Sequence, residues 1–427
     1  MEKPQLRIAI EGCCHGELNN IFKEVSRLHQ QNPIDLLIIL GDFQSLRSTA
    51  DFCSISIPPK YQKLGDFHNY YNNDTWGPPV PTLFIGGNHE SMRHLMLLPH
   101  GGYASKDIYY LGYSNMIWFK GVRIGSLSGI WKQWDLERSR TEWSQLERNR
   151  SWQKNVRSLY HVRKSDVIPL FMVREDVDLM LSHDWPNGVV YYGNMQQLLK
   201  YKPFFKQDID KRELGSPISW QLLRELKPKW WLSAHLHVKF EALIKHTKRT
   251  LNLSDDADVR KNNDEIALNL SSDSEEDVPS TFQPENKDEI VLDLSSEEDT
   301  KQVQKPKKKK KINAAKETKF LSLDKCLPRR KYLEVINVEA DTSHPSWQNA
   351  QMYWDPEFVH NLQYMEKNKG IMKDTPLEQM NWNHIIRESG FYDRDIDWSL
   401  YTVPNYTPGI QRRENEQTKL FIDRFLT

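Results

Sequence analysis

LRIAIEGCCHGELNNIFKEVSRL, residues 6–28, is the stretch that decides the fold. Its opening LRIAI is a short apolar run, suited to a strand buried on both faces. Residues 17–30 then place Leu18, Ile21, Phe22, Val25 and Leu28 at helical spacing. A second apolar run, LLIIL at 36–40, completes a β-α-β opening. Between the first strand and the helix stands EGCCHG, with two thiols and an imidazole. Open α/β sheets build their sites from such loops at the carboxyl ends of strands.

The pattern recurs downstream. Short runs at 81–85, 108–111, 115–119, 122–127, 178–182 and 230–233 read as further strands. Several end in polar or glycine-rich loops: GDF, GGNHES, SGIW, SHDW and SAHLH. Residues 1–250 are therefore expected to form one α/β domain, with a parallel sheet gathering the loops on one side.

The 58 basic and 58 acidic residues cancel, so overall charge argues neither for nor against nucleic acid. The four cysteines, Cys13, Cys14, Cys53 and Cys326, are poorly spaced for a disulfide framework and fit a reducing compartment. MEKPQLRIAIEG has no long apolar segment, which argues against secretion. No apolar run is long enough for a membrane span.

Near residue 251 the composition changes. LNLSDDADVRKNNDEIALNLSSDSEEDVPS is acidic, rich in serine and poor in aromatics, and DEIALNLSSD at 264–273 nearly repeats at 288–297. KPKKKKK follows at 305–311. Such composition cannot bury a core, so 251–316 is expected to be a disordered linker. The lysine run has the character of a nuclear-import signal, so the nucleus is the expected location, with the cytoplasm also open. Residues 317–427 read as a second ordered segment, with one or two strands within 320–338 and a helix at 417–426.

Five loops carry metal-binding side chains: Cys13/His15, Asp42, Asn88/His89, His183/Asp184 and His235/His237. Each follows a candidate strand. Imidazole and carboxylate suit first-row divalent ions, and thiolate shifts the preference toward zinc or ferrous iron. Each residue also has an ordinary role open to it. Cys13 could be a small buried hydrophobe, Asp42 a cap, Asn88 a turn residue and Asp184 a support for a neighbouring imidazole.

The succession GxxH, GD, GNHE, H, HxH resembles the calcineurin-like metallophosphoesterases. In that family the first motif is D-x-H; here it reads Cys13-Cys14-His15, with cysteine in the aspartate position. This departure, with GDFQS, GGNHESMRHL, SGIW, LSHDWP, SAHLHVKF, LDKCLPRR and WDPEF, resembles the lariat debranching enzymes within that superfamily. The resemblance implies two β-sheets packed as a sandwich and flanked by helices, with a smaller C-terminal segment packed on it. It implies one metal position built from Cys13, His15, Asp42 and His237, and another from Asp42, Asn88, His183 and His235. It implies His89 as general acid. Cys14 is expected to face away, because neighbours in an extended segment point to opposite sides.

The activity so implied is hydrolysis of the 2′-5′ phosphodiester at the branch of excised intron lariat RNA. The cofactor is one or two divalent ions, iron or zinc, with manganese able to substitute. No membrane or DNA partner is expected, and the chain is expected to be a monomer. Branch recognition points to 129–163, which interleaves tryptophans with arginines. Trp131, Trp134, Arg138, Arg140, Arg148, Arg150 and Arg157 are the candidates, since rings stack on splayed bases and guanidiniums hold phosphates. The alternative for these tryptophans is simple packing against the domain. Two other readings stand beside this one. One is a generic metallophosphoesterase acting on nucleotides or phosphoproteins. The other is a nuclear RNA-binding scaffold with a degenerate site.

Overall fold

A computed structural model describes residues 4–246, 316–349, 351–391 and 395–427. Its strands are β1 (Gln5–Glu11), β2 (Leu36–Ile39), β3 (Thr82–Phe84), β4 (Gly102–Ser105), β5 (Ile108–Tyr110), β6 (Ser114–Phe119) and β7 (Val122–Leu127), then β8 (Leu179–Ser182), β9 (Trp230–Ser233), β10 (Phe240–Lys245), β11 (Glu317–Ser322), β12 (Leu333–Glu339) and β13 (Tyr353–Trp354). They form two sheets. The first runs β12-β1-β2-β3-β5-β4 and the second β10-β11-β9-β8-β7-β6-β13.

The centres are parallel and the edges antiparallel. β1, β2, β3 and β5 pair in parallel, while β12 and β4 close that sheet antiparallel. In the second sheet β7, β8, β9 and β11 are parallel, flanked by antiparallel β10 and β6. Ile8, Ile10, Ile38 and Leu83 of one sheet meet Ile124, Leu181, Leu232 and Leu321 of the other between the layers. The outer face of the first sheet is covered by Leu18, Ile21, Phe22 and Val25, the apolar stripe of the helix Leu18–Gln31. The helices Lys164–Phe171 and Pro217–Leu226 cover the second. This is the two-sheet sandwich implied by the resemblance. The single sheet expected from the apolar runs is corrected: strands apolar on both faces look alike whichever layer they join.

The C-terminal segment is woven into the sheets as well as packed on them. β11 lies between β10 and β9, and β12 pairs with all of β1 from Gln5↔Glu339 to Glu11↔Leu333. Among the described residues, those before 247 and those after 315 form one compact unit. Arg123, buried on β7, joins Asp355 at 2.7 Å and Glu357 at 2.9 Å. Three strands escaped the sequence reading. β13 has two residues, β4 (GYAS) is small and polar, and β10 (FEALIK) alternates buried and exposed side chains. The acidic repeat and the lysine run lie outside the described residues. Among the described residues, no helix is long and apolar enough to cross a membrane.

Candidate metal centre

The loops leaving β1, β2, β8 and β9 converge. Several donor residues sit in the left-handed region: His15 (φ 49°), Asp42 (φ 47°), His235 (φ 60°) and His237 (φ 49°). Non-glycine residues there cost of order 1–3 kcal/mol each and persist where surrounding structure imposes them. Two glycines permit the close approach. A Cβ on Gly87 would stand 2.3 Å from Asp42 Oδ1, and one on Gly12 would stand 2.1 Å from the Asp324 carbonyl oxygen. The second contact brings the C-terminal segment to the site. Cys13 N–H donates to the Asp324 carbonyl at 3.3 Å, and Cys326 N–H donates to the Cys13 carbonyl at 3.1 Å.

Cys13, His15, Asp42 and His237 offer donor atoms that all lie within 4.8 Å of one another. His15 Nε2 is 3.0 Å from His237 Nε2 and 3.7 Å from Asp42 Oδ2. On the other side of Asp42, His183 Nε2 is 3.5 Å from Oδ1 and 3.2 Å from Asn88 Oδ1. The His183 and His235 ring centres are 5.0 Å apart. His183 Nδ1 donates to the Leu40 carbonyl at 2.7 Å, leaving Nε2 with its lone pair toward Asp42 and Asn88. Cys13 packs with the inter-sheet core and Cys14 with the helix side, so the two thiols face opposite ways.

The donor set fits a divalent cation. Asp42 Oδ2 is buried and has no hydrogen-bond partner. Burial by itself raises the Asp42 carboxyl, but His183, His15, His89 and the His89 N–H outweigh it and hold the group well below its usual range. Burial lowers His15, His183 and His235, and takes His237 to about 3, so these imidazoles are neutral, as ligands must be. Burial, then Asp42 and Glu11, push the Cys13 thiol up. A cation reverses that balance, because a coordinating thiol ionises outright.

His89 stands at the rim, half-buried. Its N–H donates to Asp42 Oδ1 at 2.8 Å and its Nδ1 donates to the Ser56 carbonyl at 3.2 Å, which leaves Nε2 available. Its ring centre is 5.7 Å from that of His15. Asp184 departs from the expected support of an imidazole. Its carboxylate accepts the N–H groups of Trp131 (3.3 Å) and Trp185 (3.0 Å), fixing the start of the 129–163 segment beside the site. Only its charge reaches His235.

The candidate RNA contacts divide. Trp134, Arg138, Arg148, Arg150 and Arg157 are exposed. Arg140 is not: half-buried, it pairs with both oxygens of Asp166 at 2.8 Å and lies 3.7 Å over the Tyr113 ring. Its role as an RNA contact is corrected to one of holding the insertion together. Trp131 is half-buried against the core. Trp143 and Trp152 pack in a small cluster, their indole N–H groups donating to the Arg93 carbonyl and to Glu147.

Glu90 is the residue the sequence reading passed over. It is buried and accepts N–H groups from Phe43 (2.7 Å), Gln44 (2.9 Å) and Gly87 (3.0 Å), tying the Asp42 loop to the Asn88 loop. Burial first, then Asp42, push its carboxyl up to about 8 against those three donors. A charged residue directly after GGNH was the available signal.

Residues 6–239 match the family described as calcineurin-like phosphoesterase, and residues 315–397 match the one described as lariat debranching enzyme, C-terminal domain. The lariat debranching enzyme of Saccharomyces cerevisiae is 56% identical over 428 residues, covering 99% of this chain and 100% of that one. That of Schizosaccharomyces pombe is 37% identical over 395 residues, 88% of this chain and 82% of its own length. That of Homo sapiens is 36% identical over 351 residues, 82% of this chain and 52% of its own length. The chain, with a cysteine among its clustered donors and a C-terminal segment woven into both sheets, belongs to the lariat debranching enzyme family of the calcineurin-like phosphoesterases.

Proposed function

We propose that this protein hydrolyses the 2′-5′ phosphodiester at the branch of lariat RNA, releasing a linear intron with a 5′-phosphate and a free 2′-hydroxyl. The observation that carries the chemistry is the convergence of Cys13, His15, Asp42 and His237 on one point. These four would hold one divalent cation, and Asp42, Asn88, His183 and His235 a second. A divalent cation there supplies positive charge for the phosphoryl oxygens and makes water acidic enough to ionise near neutral pH.

The remaining steps belong to the chain. Asp42, between the two donor sets, fixes their separation, and Glu90 holds its loop. The Ser56 carbonyl anchors His89 Nδ1, so that a proton on Nε2 faces the departing group. As the attacking oxygen bonds to phosphorus and the bond to the 2′ oxygen breaks, that proton passes to the 2′ oxygen and His89 is left neutral. The exposed ring of Trp134 and the guanidiniums of Arg138, Arg148, Arg150 and Arg157 are suited to hold bases and phosphates around the branch.

The thiolate donor favours ferrous iron or zinc, with manganese as a substitute. The working form is a monomer. The KPKKKKK run directs it to the nucleus, and unchanged nuclear accumulation after lysine substitution would sink that assignment. The activity is tested with a synthetic branched RNA beside a linear 3′-5′ control. We expect metal-dependent cleavage of the branch alone. Equal cleavage of the control would mark a general phosphodiesterase, and metal-dependent cleavage of neither would mark an RNA-binding scaffold.

A further inference from the structure

A second aromatic and basic surface lies outside the tryptophan-rich insertion. Tyr192, Tyr201 and Phe204 are 45%, 69% and 66% exposed. They sit on the segment Val189–Asp210, which carries the short helices Met195–Tyr201 and Phe205–Asp210. Polar groups separate them. Asn194, Gln196, Gln197 and Lys200 stand exposed between them, on the helix Met195–Tyr201 and its N-cap. Lys202 Nζ lies 5.8 Å from the centre of the Phe204 ring. Rings alternating with amides and lysines suit stacked bases and a phosphate backbone better than an apolar protein face.

The 324–330 turn links this surface to the metal centre. Lys325 pairs with Cys13 in a parallel bridge, and Cys326 N–H donates to the Cys13 carbonyl at 3.1 Å. The other end of this turn is near Lys202, on which the charges of Asp324, Arg330 and Lys325 all act. The 324–330 turn, in which Asp324 pairs with Arg330 at 3.2 Å, thus stands between the Cys13 loop and Lys202. The tryptophan-rich insertion instead joins the site at Asp184, through the Trp131 N–H. A branch nucleotide carries more than one strand, and these surfaces reach the centre through different loops, one at Asp184 and the other at 324–330.

We infer that the face built by Tyr192, Lys200, Tyr201, Lys202 and Phe204 binds a single-stranded RNA arm leaving the branch. The inference rests on the proposed branch-point hydrolysis for its place in the reaction, but binding by this face can be measured without it. The test compares the full chain with the double variant Tyr201→Ala/Phe204→Ala and with Lys200→Ala, after thermal melting has shown each to be folded. Anisotropy of a labelled linear RNA of about 15 nucleotides reads binding directly, since single-strand sites span about 4–16 nucleotides. Cleavage is followed on a branched RNA with arms of that length and on a branched core with one nucleotide per arm.

Loss of a stacking ring costs about 10-fold in affinity. The double variant should therefore bind the linear RNA at least about 10-fold more weakly and raise KM for the long-armed substrate similarly. Its kcat and its rate on the core should stay within about twofold. Lys200→Ala should flatten the salt dependence of binding by about 0.7 in log–log slope. Wild-type affinity for linear RNA in the folded double variant would overturn the inference, leaving the face to a protein or to no partner. An equal loss on the core substrate would overturn it too, because the substitutions would then be acting through the metal centre. Failure of the wild-type chain to cleave any branched RNA would instead strike the proposed activity, while the anisotropy still decides the arm surface.

Discussion

Two adjacent cysteines stand just before the turn at His15 and Gly16, and only one faces the donors. The Cys13 thiol is forced toward its neutral form by burial and by Asp42. Ionising it therefore needs a cation close by. Cys13→Ser removes the soft donor while roughly keeping the volume. Elemental analysis should show iron or zinc retention weakened by about 10-fold or more, no less than altering a ligand's neighbour typically costs. Cys14→Ser should leave metal content per folded chain unchanged, because that thiol faces the helix layer. Equal losses at both positions would show that the thiols act through packing. His89 differs in kind. It lies at the rim with one ring nitrogen anchored to Ser56. His89→Ala should lower turnover by about 10²–10⁴-fold with metal content retained; loss of the metal would make it a ligand or a prop.

The insertion between β7 and β8 shows how an element made of tryptophan and arginine divides its labour. Its short helices Trp143–Asn149 and Trp152–Leu159 turn Leu146, Trp152, Val156 and Leu159 inward. Arg140 joins that interior through Asp166, whose second task is to accept the Arg163 N–H at 2.7 Å. Arg140→Ala leaves Asp166 without its guanidinium in a buried setting, which costs about 3–5 kcal/mol. Urea denaturation should show that loss, with little change in KM for branched RNA in the folded fraction. Arg148→Ala/Arg150→Ala removes two exposed cations and should do the reverse, weakening RNA affinity at constant stability. If Arg140→Ala proves as stable as wild type, its pairing with Asp166 is not holding the insertion.

At the scale of the molecule, the two stretches on either side of 247–315 are already joined. β10 and β11 pair antiparallel up to Lys245↔Glu317, and His246 N–H donates to the Lys316 carbonyl at 2.9 Å. Replacing 247–315 with a short Asn-Gly turn would close an ordinary hairpin. Thermal stability and branched-RNA cleavage should then be nearly unchanged; a large loss of activity in the folded deletion would mean that this stretch reaches the substrate. His94 tests the seam with the C-terminal helix Glu414–Phe425. It is fully buried between Arg47, Asp51, Tyr71 and Glu414, and burial lowers it to about 4. The unfolded chain takes up this proton near pH 6.5 and the folded chain does not until about 4. Stability from this group is therefore complete above pH 6.5 and declines as pH falls toward 4, by up to about 3 kcal/mol. Urea midpoints of the metal-free protein at pH 7.5 and 5 should differ less in His94→Gln than in wild type.

The sequence by itself determined the local alphabet: which continuous apolar runs are strands, where the first helix carries its stripe, and which loop ends bear donors. Those properties depend on side-chain period and chemistry within a few residues, and LRIAI, GDF, GGNHES, SHDW and SAHLH display them openly. Placement belonged to the tertiary structure. Nothing local in LLIIL or WWLS says which of two sheets it joins, because both faces of each strand are buried in either. Nothing in LDKCLPRR says that its backbone will clasp the Cys13 loop, because those hydrogen bonds join residues some three hundred positions apart. Arg138 and Arg140 look alike in sequence. One faces solvent and the other is enclosed with Asp166, since burial is a property of what folds over a residue and not of the residue.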